Sequence, residues 1–511
     1  FESDLLPRFL ARQRWYAAKG EAARAARIVD YTQFESPSAP GRTWLLVQAD
    51  IEGPAEKARY SVPLTLAWED RDDERIKQLG PTAIAKVRQQ AVVGLMADAG
   101  AEPALCLAVI EAIAARREVA GANGRLRFVP TAAFERLAGT DRSLLAPVRA
   151  LGMSSNTVAL LGERLFIKWY RRLRPGENPE LEMGRYLTDV ARFEHCVPVA
   201  GSVDHVAADG TVHTLALVQA FVPNQGDAWS STVDELARLL ESKRNHVDQP
   251  VEESSSGFLA LMTTLGRRTA EMHAALALRT GDPAFDPEPI TADDVAGWIR
   301  AARADAAATF DLLSSRHAAL APTLLDTAQR IFAAGPRLQG TLGEDLKPPY
   351  AGSKTRTHGD YHLGQVLVAR NDFVIIDFEG EPARDLAERR RKHSPLRDVA
   401  GMLRSFDYAR QAALRQVAHT DADIERLLPA ADEWEQRVRS AFLRGYGDAA
   451  VEHKLVEDAA GFEAQAPLLR LFETEKAFYE LRYELNNRPD WVAVPLAGLA
   501  RLFRLDATPA P

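Results

Sequence analysis

Residues 357–381 constrain the fold more than any other stretch of this chain. They read Thr-His-Gly-Asp-Tyr-His-Leu-Gly-Gln-Val-Leu-Val-Ala-Arg-Asn-Asp-Phe-Val-Ile-Ile-Asp-Phe-Glu-Gly-Glu. His358, Asp360 and Gln365 fall on a loop. Two β-branched runs then flank Arg-Asn-Asp, which is a hairpin signal. The hairpin returns Asp377, at the end of an apolar strand, beside Gln365. Residues 125–222 read as β-rich, and the chain from 257 onward, on both sides of this segment, as mainly helical. The order implies an α+β fold: a β-rich lobe, a hinge, then a helical lobe with one embedded hairpin.

A chain of 511 residues is too long for a single core and calls for two to four domains or subdomains. The apolar fraction of 46% and charged fraction of 26% suit a globular enzyme. The net charge is −8 with both signs interspersed, so no basic footprint argues for nucleic acid. Cys106 and Cys196 make neither a disulfide framework nor a metal cluster, which fits a reducing cytoplasm. The longest apolar runs, such as Leu215–Val222, are far short of a membrane span, and no signal peptide is visible. The expectation is a cytoplasmic protein without membrane or nucleic-acid partners. The start at Phe1 rather than Met suggests one part of a longer polypeptide.

Three regions are expected: a cap subdomain over 1–100, a β-rich lobe over 101–222 and a helical lobe over 223–511. In the first, Asp4–Tyr16 reads as amphipathic, Trp44–Asp50 as a strand and Thr82–Ala97 as a helix. Trp15 and Tyr16, beside Arg12, Arg14 and Lys19, read as a helix-end anchor for this subdomain, with a binding surface as the alternative. In the second, Val158–Leu161 and Leu165–Tyr170 flank the turn Gly162-Glu163-Arg164. Ser154-Ser155-Asn156-Thr157 precedes that hairpin. Lys168 lies mid-strand between Ile167 and Trp169, and Asn178 opens a helix carrying Glu180 and Glu182, expected to run to about Phe193. The strand Leu215–Val222 stops at a Pro/Gly break, as a hinge would. Glu241–Gly257 reads as a polar loop. Helices are expected at Phe258–Leu278, Ala292–Ser314, Pro322–Ala334, Pro395–Ala418, Asp421–Tyr446 (broken or kinked at Pro429) and Pro467–Asn486.

Protein-kinase catalytic loops have His-x-Asp, an Asn five positions after the Asp, then Asp-Phe-Gly. Here Gln365 stands for that Asn and Glu379 for the Gly. His-Gly-Asp-x-His plus Asp-Phe-Glu resembles small-molecule kinases of the aminoglycoside-phosphotransferase type. Phosphoryl transfer is positioning plus electrostatics. Asp360 is the candidate base, with His358 beside it in the motif. Gln365 and Asp377 are the candidate Mg2+ ligands, since magnesium needs few protein oxygens. Lys168 is the candidate phosphate cation, and Glu182 its first-choice partner with Glu180 second. Ser155, Asn156 and Thr157 occupy the position of a phosphate loop. Gln219, Ala220 and Val222 are nearest to pairing with the adenine of ATP. His362 reads as orienting the loop. Asp398 enters a helix, where it either bonds backbone amides of the catalytic loop or is an ordinary acid of a helix N-terminus. His273 reads as a packed helix histidine.

On the last long helix Lys476, Tyr479, Glu480, Tyr483, Asn487 and Arg488 recur at three- and four-residue spacing and share one face. Glu475, Arg482 and Glu484 read as helix salt bridges. This segment, with His-Gly-Asp-x-His-Leu-Gly-Gln-Val and Ser-Pro-Leu-Arg-Asp-Val-Ala-Gly, resembles the bacterial maltokinases over nearly the whole chain. The resemblance implies a bilobal kinase-like fold with an amino-terminal cap. It implies transfer from ATP to the anomeric hydroxyl of maltose, with the maltose 1-phosphate feeding α-glucan and glycogen synthesis. It implies a sugar site at Asp360, His362, Lys476, Tyr479, Glu480, Tyr483 and Asn487. Trehalose synthase, fused or complexed, is the implied partner. Two other readings stay open: a glucosamine or other sugar kinase on the same scaffold, and a catalytically silent sugar-binding module.

Overall fold

The computed structural model describes residues 1–16, 23–53, 57–151, 155–245, 250–381 and 384–505. The chain divides into two compact units, Phe1–Pro223 and Asn224–Pro511.

The first unit holds two antiparallel sheets. One contains β1 (Ala25–Glu35), β2 (Thr43–Glu52), β3 (Lys57–Trp68), β4 (Ala83–Gln89) and β5 (Val92–Asp98), ordered β1-β2-β3-β5-β4. Thr82–Ala97, expected to be helical, is thus the β4–β5 hairpin. Val87, Val92 and Val93 are β-branched, and Gln90 takes a positive φ of 55° at the turn, so strand pairing overrides the helix-forming Ala and Lys. Trp15 and Tyr16 are buried against Tyr60, as the anchor reading required.

After helix α1 (Pro103–Ala114) comes the second sheet. Its strands are β6 (Glu118–Ala120), β7 (Gly124–Pro130), β8 (Val148–Ala150), β9 (Thr157–Leu161), β10 (Leu165–Trp169), β12 (Val199–Ala207) and β13 (Val212–Ala220). They are ordered β6-β7-β12-β13-β10-β9-β8. Between them β11 (Arg172–Leu173) crosses back to pair with β3. Phe34 and Trp44 of the first sheet join Phe128, Ile167 and Leu217 of the second in one core, with Phe34 stacked on Phe128 at 5.2 Å. The period-2 alternation of β10 sends Leu165, Ile167 and Trp169 into that core and turns Phe166 and Lys168 to the other face. Helix α2 (Pro179–Arg185) follows, capped by the Asn178 side chain; a π-helical turn, Tyr186–Val190, ends the helical stretch before Phe193.

The second unit is built from α3 (Ala228–Arg244), α4 (Val251–Leu276), α5 (Ala292–Arg316), α6 (Leu325–Thr341), α7 (Leu396–Val417), α8 (Asp421–Glu452), α9 (Ala466–Asn487) and α10 (Ala493–Leu502). Much of the expected loop 241–257 is helical instead. The end of α3 and the start of α4 claim it, and residues 246–249 lie outside the described residues. Pro429 does not break α8; it is exposed, so water can satisfy the carbonyl its ring leaves without a donor. Helices α4 and α8 cross at two glycines. A Cβ on Gly445 would lie 1.9 Å from the Thr263 carbonyl oxygen, and one on Gly266 2.0 Å from that of Phe442. The hairpin pairs β14 (Val366–Ala369) with β15 (Asp372–Ile375) through a two-residue turn. Arg370 and Asn371 there have φ of 53° and 60°, the handedness that matches strand twist. Among the described residues no helix is long and apolar enough to cross a membrane.

Candidate active site

The catalytic-motif loop is held from below by one carboxylate. Asp398, in the first turn of α7 and 2% exposed, accepts the His358 N–H at 2.8 Å and the Gly359 N–H at 2.9 Å. Its Oδ2 also lies 3.2 Å from His273 Nε2, whose other ring nitrogen meets the Tyr446 hydroxyl at 3.0 Å. Burial pushes the Asp398 carboxyl up, but the His273 contact and the loop amides outweigh it and hold it below the usual carboxylate range. The crossing of α4 and α8 brings these two aromatic side chains together.

His358 is 1% exposed, with its ring 4.8 Å from that of Phe378. Its Nε2 donates to the Ile376 carbonyl at 2.8 Å, which leaves Nδ1 to accept the Asp360 N–H at 3.4 Å. This corrects the catalytic assignment of His358. It is spent on positioning, tying the Asp360 loop to the strand end before Asp377. Asp360 itself remains accessible, with 22% of its side chain exposed. His362 caps the turn Leu363–Gln365 by accepting the Gly364 N–H at 3.1 Å, which aims Gln365.

The hairpin brings Gln365 and Asp377 together, with Nε2 and Oδ2 3.3 Å apart. Asp377 takes a φ of 64°, uncommon outside glycine and costly unless the surroundings enforce it. The Glu379 N–H closes the turn onto the Asp377 carbonyl at 2.7 Å. A carboxylate and a carboxamide are oxygen donors of the kind magnesium takes, and turning the amide exchanges its N–H donors for its oxygen. The pair fits such an ion.

Helix α9 has two faces. Lys476 Nζ lies 3.7 Å from Asp360 and 3.3 Å from Glu381, and the Tyr479 hydroxyl donates to Glu381 at 2.7 Å. Tyr483 stacks beside Tyr479 at 6.5 Å and is 44% exposed. Glu381 is a site residue the sequence reading missed, although it closes the Asp-Phe-Glu-Gly-Glu motif. Burial opposes its ionisation, but Lys476 and the Tyr479 hydroxyl more than offset that and hold its carboxyl below the usual range. Lys476 is likewise held above the usual lysine range: Glu381 and Asp360 outweigh its desolvation. Glu480 is a correction. It faces inward onto Arg404 at 2.8 Å, in a buried cluster with Asp407, away from the face expected to hold the sugar. Asn487 is exposed and donates to the Tyr483 carbonyl of its own helix. Of the expected helix salt bridges only Glu484–Arg488 lies within the helix; Glu475 pairs instead with Arg397 and Arg482 with Asp305, both on other elements.

In the first unit Lys168 pairs with Glu180 at 2.7 Å, and Glu180 also accepts from the Tyr170 hydroxyl at 2.5 Å. Glu180 is the second of the two expected partners; Glu182, the first choice, is buried two residues further along the same helix. Thr157 is also redirected: its hydroxyl accepts from Arg171 at 2.7 and 2.8 Å. Ser155 is exposed, with Asn156 Nδ2 3.4 Å from its hydroxyl; Ser154 lies outside the described residues. Along β13 the Ala220 N–H donates to Pro198 and the next N–H, of Phe221, to Arg164. Those donors are committed to the protein, so Ala220 cannot offer its amide to a purine. Gln219 is buried in the ladder, and Val222 follows the strand.

The maltokinase N-terminal cap domain matches residues 9–101. Two curated relatives are named glucosamine kinase. The one from Streptacidiphilus jiangxiensis is 27% identical over 380 residues, spanning 73% of this chain and 77% of the relative. The one from Mycolicibacterium smegmatis is 28% identical over 353 residues, spanning 68% and 77%. A solved glucosamine kinase in complex with glucosamine, ADP and inorganic phosphate matches with a TM-score of 0.64 at 21% identity, over 97% of this chain and 98% of that one. Its likeness gives the fold as kinase-like with an amino-terminal cap.

Proposed function

Because this chain belongs to the maltokinase and aminoglycoside-phosphotransferase-like kinases, we propose that it is an ATP-dependent sugar kinase. Our reading is that it phosphorylates the anomeric hydroxyl of maltose to give maltose 1-phosphate. The observation that carries the kinase part is the joined loop and hairpin. Asp360 stays accessible on a loop anchored by Asp398, while Gln365 and Asp377 meet 3.3 Å apart behind it. Asp360 accepts the proton of the acceptor hydroxyl. Gln365 and Asp377 would hold magnesium, which would neutralise the phosphate charge. Lys168, aligned by Glu180, is the cation for the nucleotide phosphates.

The maltokinase-type cap over 9–101 supports maltose as acceptor. The curated relatives' names support glucosamine as a second reading. The wider proposal is that the product feeds α-glucan synthesis and that trehalose synthase, fused or complexed, supplies the maltose. A panel of maltose, glucose, glucosamine and trehalose with Mg-ATP, followed by ADP release and 31P NMR of the product, tests it. The expected result is a 1-phosphate of maltose. Turnover confined to glucosamine would replace the first reading with the second, and no turnover with any sugar would overturn both.

A further inference from the structure

We propose that Glu381 sets the charge class of the acceptor: it holds the Lys476 ammonium beside Asp360, where a cationic substrate would otherwise place its own ammonium. The inference deepens the sugar-kinase reading and rests on it for the identity of the acceptor.

Three side chains in direct contact, Asp360, Glu381 and Lys476, set the charge count; Arg384 acts on Glu381 and Glu480 on Lys476 from outside that set. Asp360 and Glu381 contribute two negative charges to one small region. Lys476 Nζ reaches both, at 3.7 and 3.3 Å. The Tyr479 hydroxyl takes the other Glu381 oxygen at 2.7 Å, and the Tyr479 ring lies 4.9 Å from the same ammonium. Glu381 is therefore gripped from two points of α9, one turn apart, and in turn fixes the rotamers of Lys476 and Tyr479. Only 13% of its side chain is exposed, against 28% for Lys476. It is a positioning residue, acting on the acceptor through its two partners. Glu480 is outside this contact set because its carboxylate is hydrogen-bonded to the buried Arg404.

Two carboxylates and one ammonium leave a net charge of −1. That suits a neutral polyol, which needs acceptors for its hydroxyls and no counter-ion. A protonated amino sugar meets Lys476 as a like charge. Without the lysine charge the same region carries −2 and an empty cation position between two carboxylates, where a substrate ammonium gains what Lys476 loses. Glu381 is required for both states, since Asp360 alone offers one carboxylate.

The test uses the full chain with Lys476→Met, Glu381→Gln and the double substitution. The readouts are kcat/KM for maltose and for glucosamine, and calorimetric binding of both sugars where the amine is protonated. Lys476→Met is expected to shift the glucosamine-to-maltose ratio about tenfold or more toward glucosamine, the worth of one charged hydrogen bond. Glu381→Gln is expected to lower kcat/KM for maltose about tenfold with the KM for ATP unchanged. The double variant is expected to lose the gain. An unchanged ratio in Lys476→Met, or a gain that persists in the double variant, overturns the proposal. If the wild type binds sugars without turning any over, the kinase reading fails while the binding ratio still decides the charge rule. If no variant binds either sugar, both fall.

Discussion

Replacing Asp398 by Asn removes the anchor of the catalytic loop while leaving every group that would touch a substrate chemically unchanged. The carboxylate accepts two loop amides at 2.8 and 2.9 Å and sits 3.2 Å from His273. An asparagine keeps one acceptor oxygen and turns an NH2 group toward the other donor. One charge-assisted bond is lost, worth about 1.5–3 kcal/mol, and a buried N–H is stranded; we expect ~2–4 kcal/mol lost locally. Freed of its tether, the loop shifts Asp360, and a displacement of ~1 Å costs roughly 10²-fold in turnover. The loss is read by hydrogen exchange of residues 357–362 and by steady-state kinetics. The acid limb supplies an independent check. Because the folded-state pKa of Asp398 is depressed, its contribution to stability is present above the unfolded value, near 3.8, and is lost as pH falls through the lower folded one. Asp398→Asn should therefore flatten the rise of stability with pH in that acidic window. Unchanged protection of the loop together with unchanged kcat would refute the anchoring role.

Asp360→Asn should keep the fold and sugar binding but lower kcat by ~10² or more, as expected on losing a general base; near wild-type turnover would remove the assignment. Glu180→Gln should raise the KM for ATP roughly tenfold, as expected for a charge-assisted bond, whereas Glu182→Gln should leave it nearly unchanged; the reverse order would restore the first-choice reading. Gly445→Ala should destabilise by about 1–3 kcal/mol or more, because its Cβ would meet the Thr263 carbonyl at 1.9 Å. Denaturant titration of the second unit reads that directly, and an unshifted midpoint would show that the helices can part at no cost.

What could be read beforehand depended on how local its cause was. The hairpin and the pairing of Gln365 with Asp377 follow from β-branched runs around a turn, all within a dozen residues. The roles of Asp398 and His273 were half visible, since a first-turn acid is informative only once the loop it meets is known. Thr157 was misread because its hydroxyl answers to Arg171, which a separate turn brings to it. Glu180 and Glu182 differ by about half a helical turn, and the spacing that ranked Glu182 first did not single out Glu180, which pairs with Lys168. Glu480 was assigned by spacing to the sugar face, yet a helix packed on both sides buries part of that stripe. Glu381 was overlooked because its partners lie 95 and 98 residues further on. The β4–β5 hairpin was misread because alanine and lysine weigh toward helix until a neighbouring strand is available.

Arg171 is 1% exposed, and its guanidinium reaches Asp98 at 2.8 Å, the Ser61 carbonyl, the Thr157 hydroxyl and the face of Trp15 at 4.9 Å. Asp98, Ser61 and Trp15 all fall within the 9–101 cap. The cap is therefore a sequence module without being an exchangeable cassette. Replacing Asp98 alone by Ala would strand a buried positive charge three residues beyond Lys168, a defect typically worth about 3–5 kcal/mol. A graft between relatives would carry over only if the incoming cap brought a carboxylate to that same guanidinium. Together with the core that Phe34 and Trp44 share with Phe128, this arginine ties the two sheets into one unit.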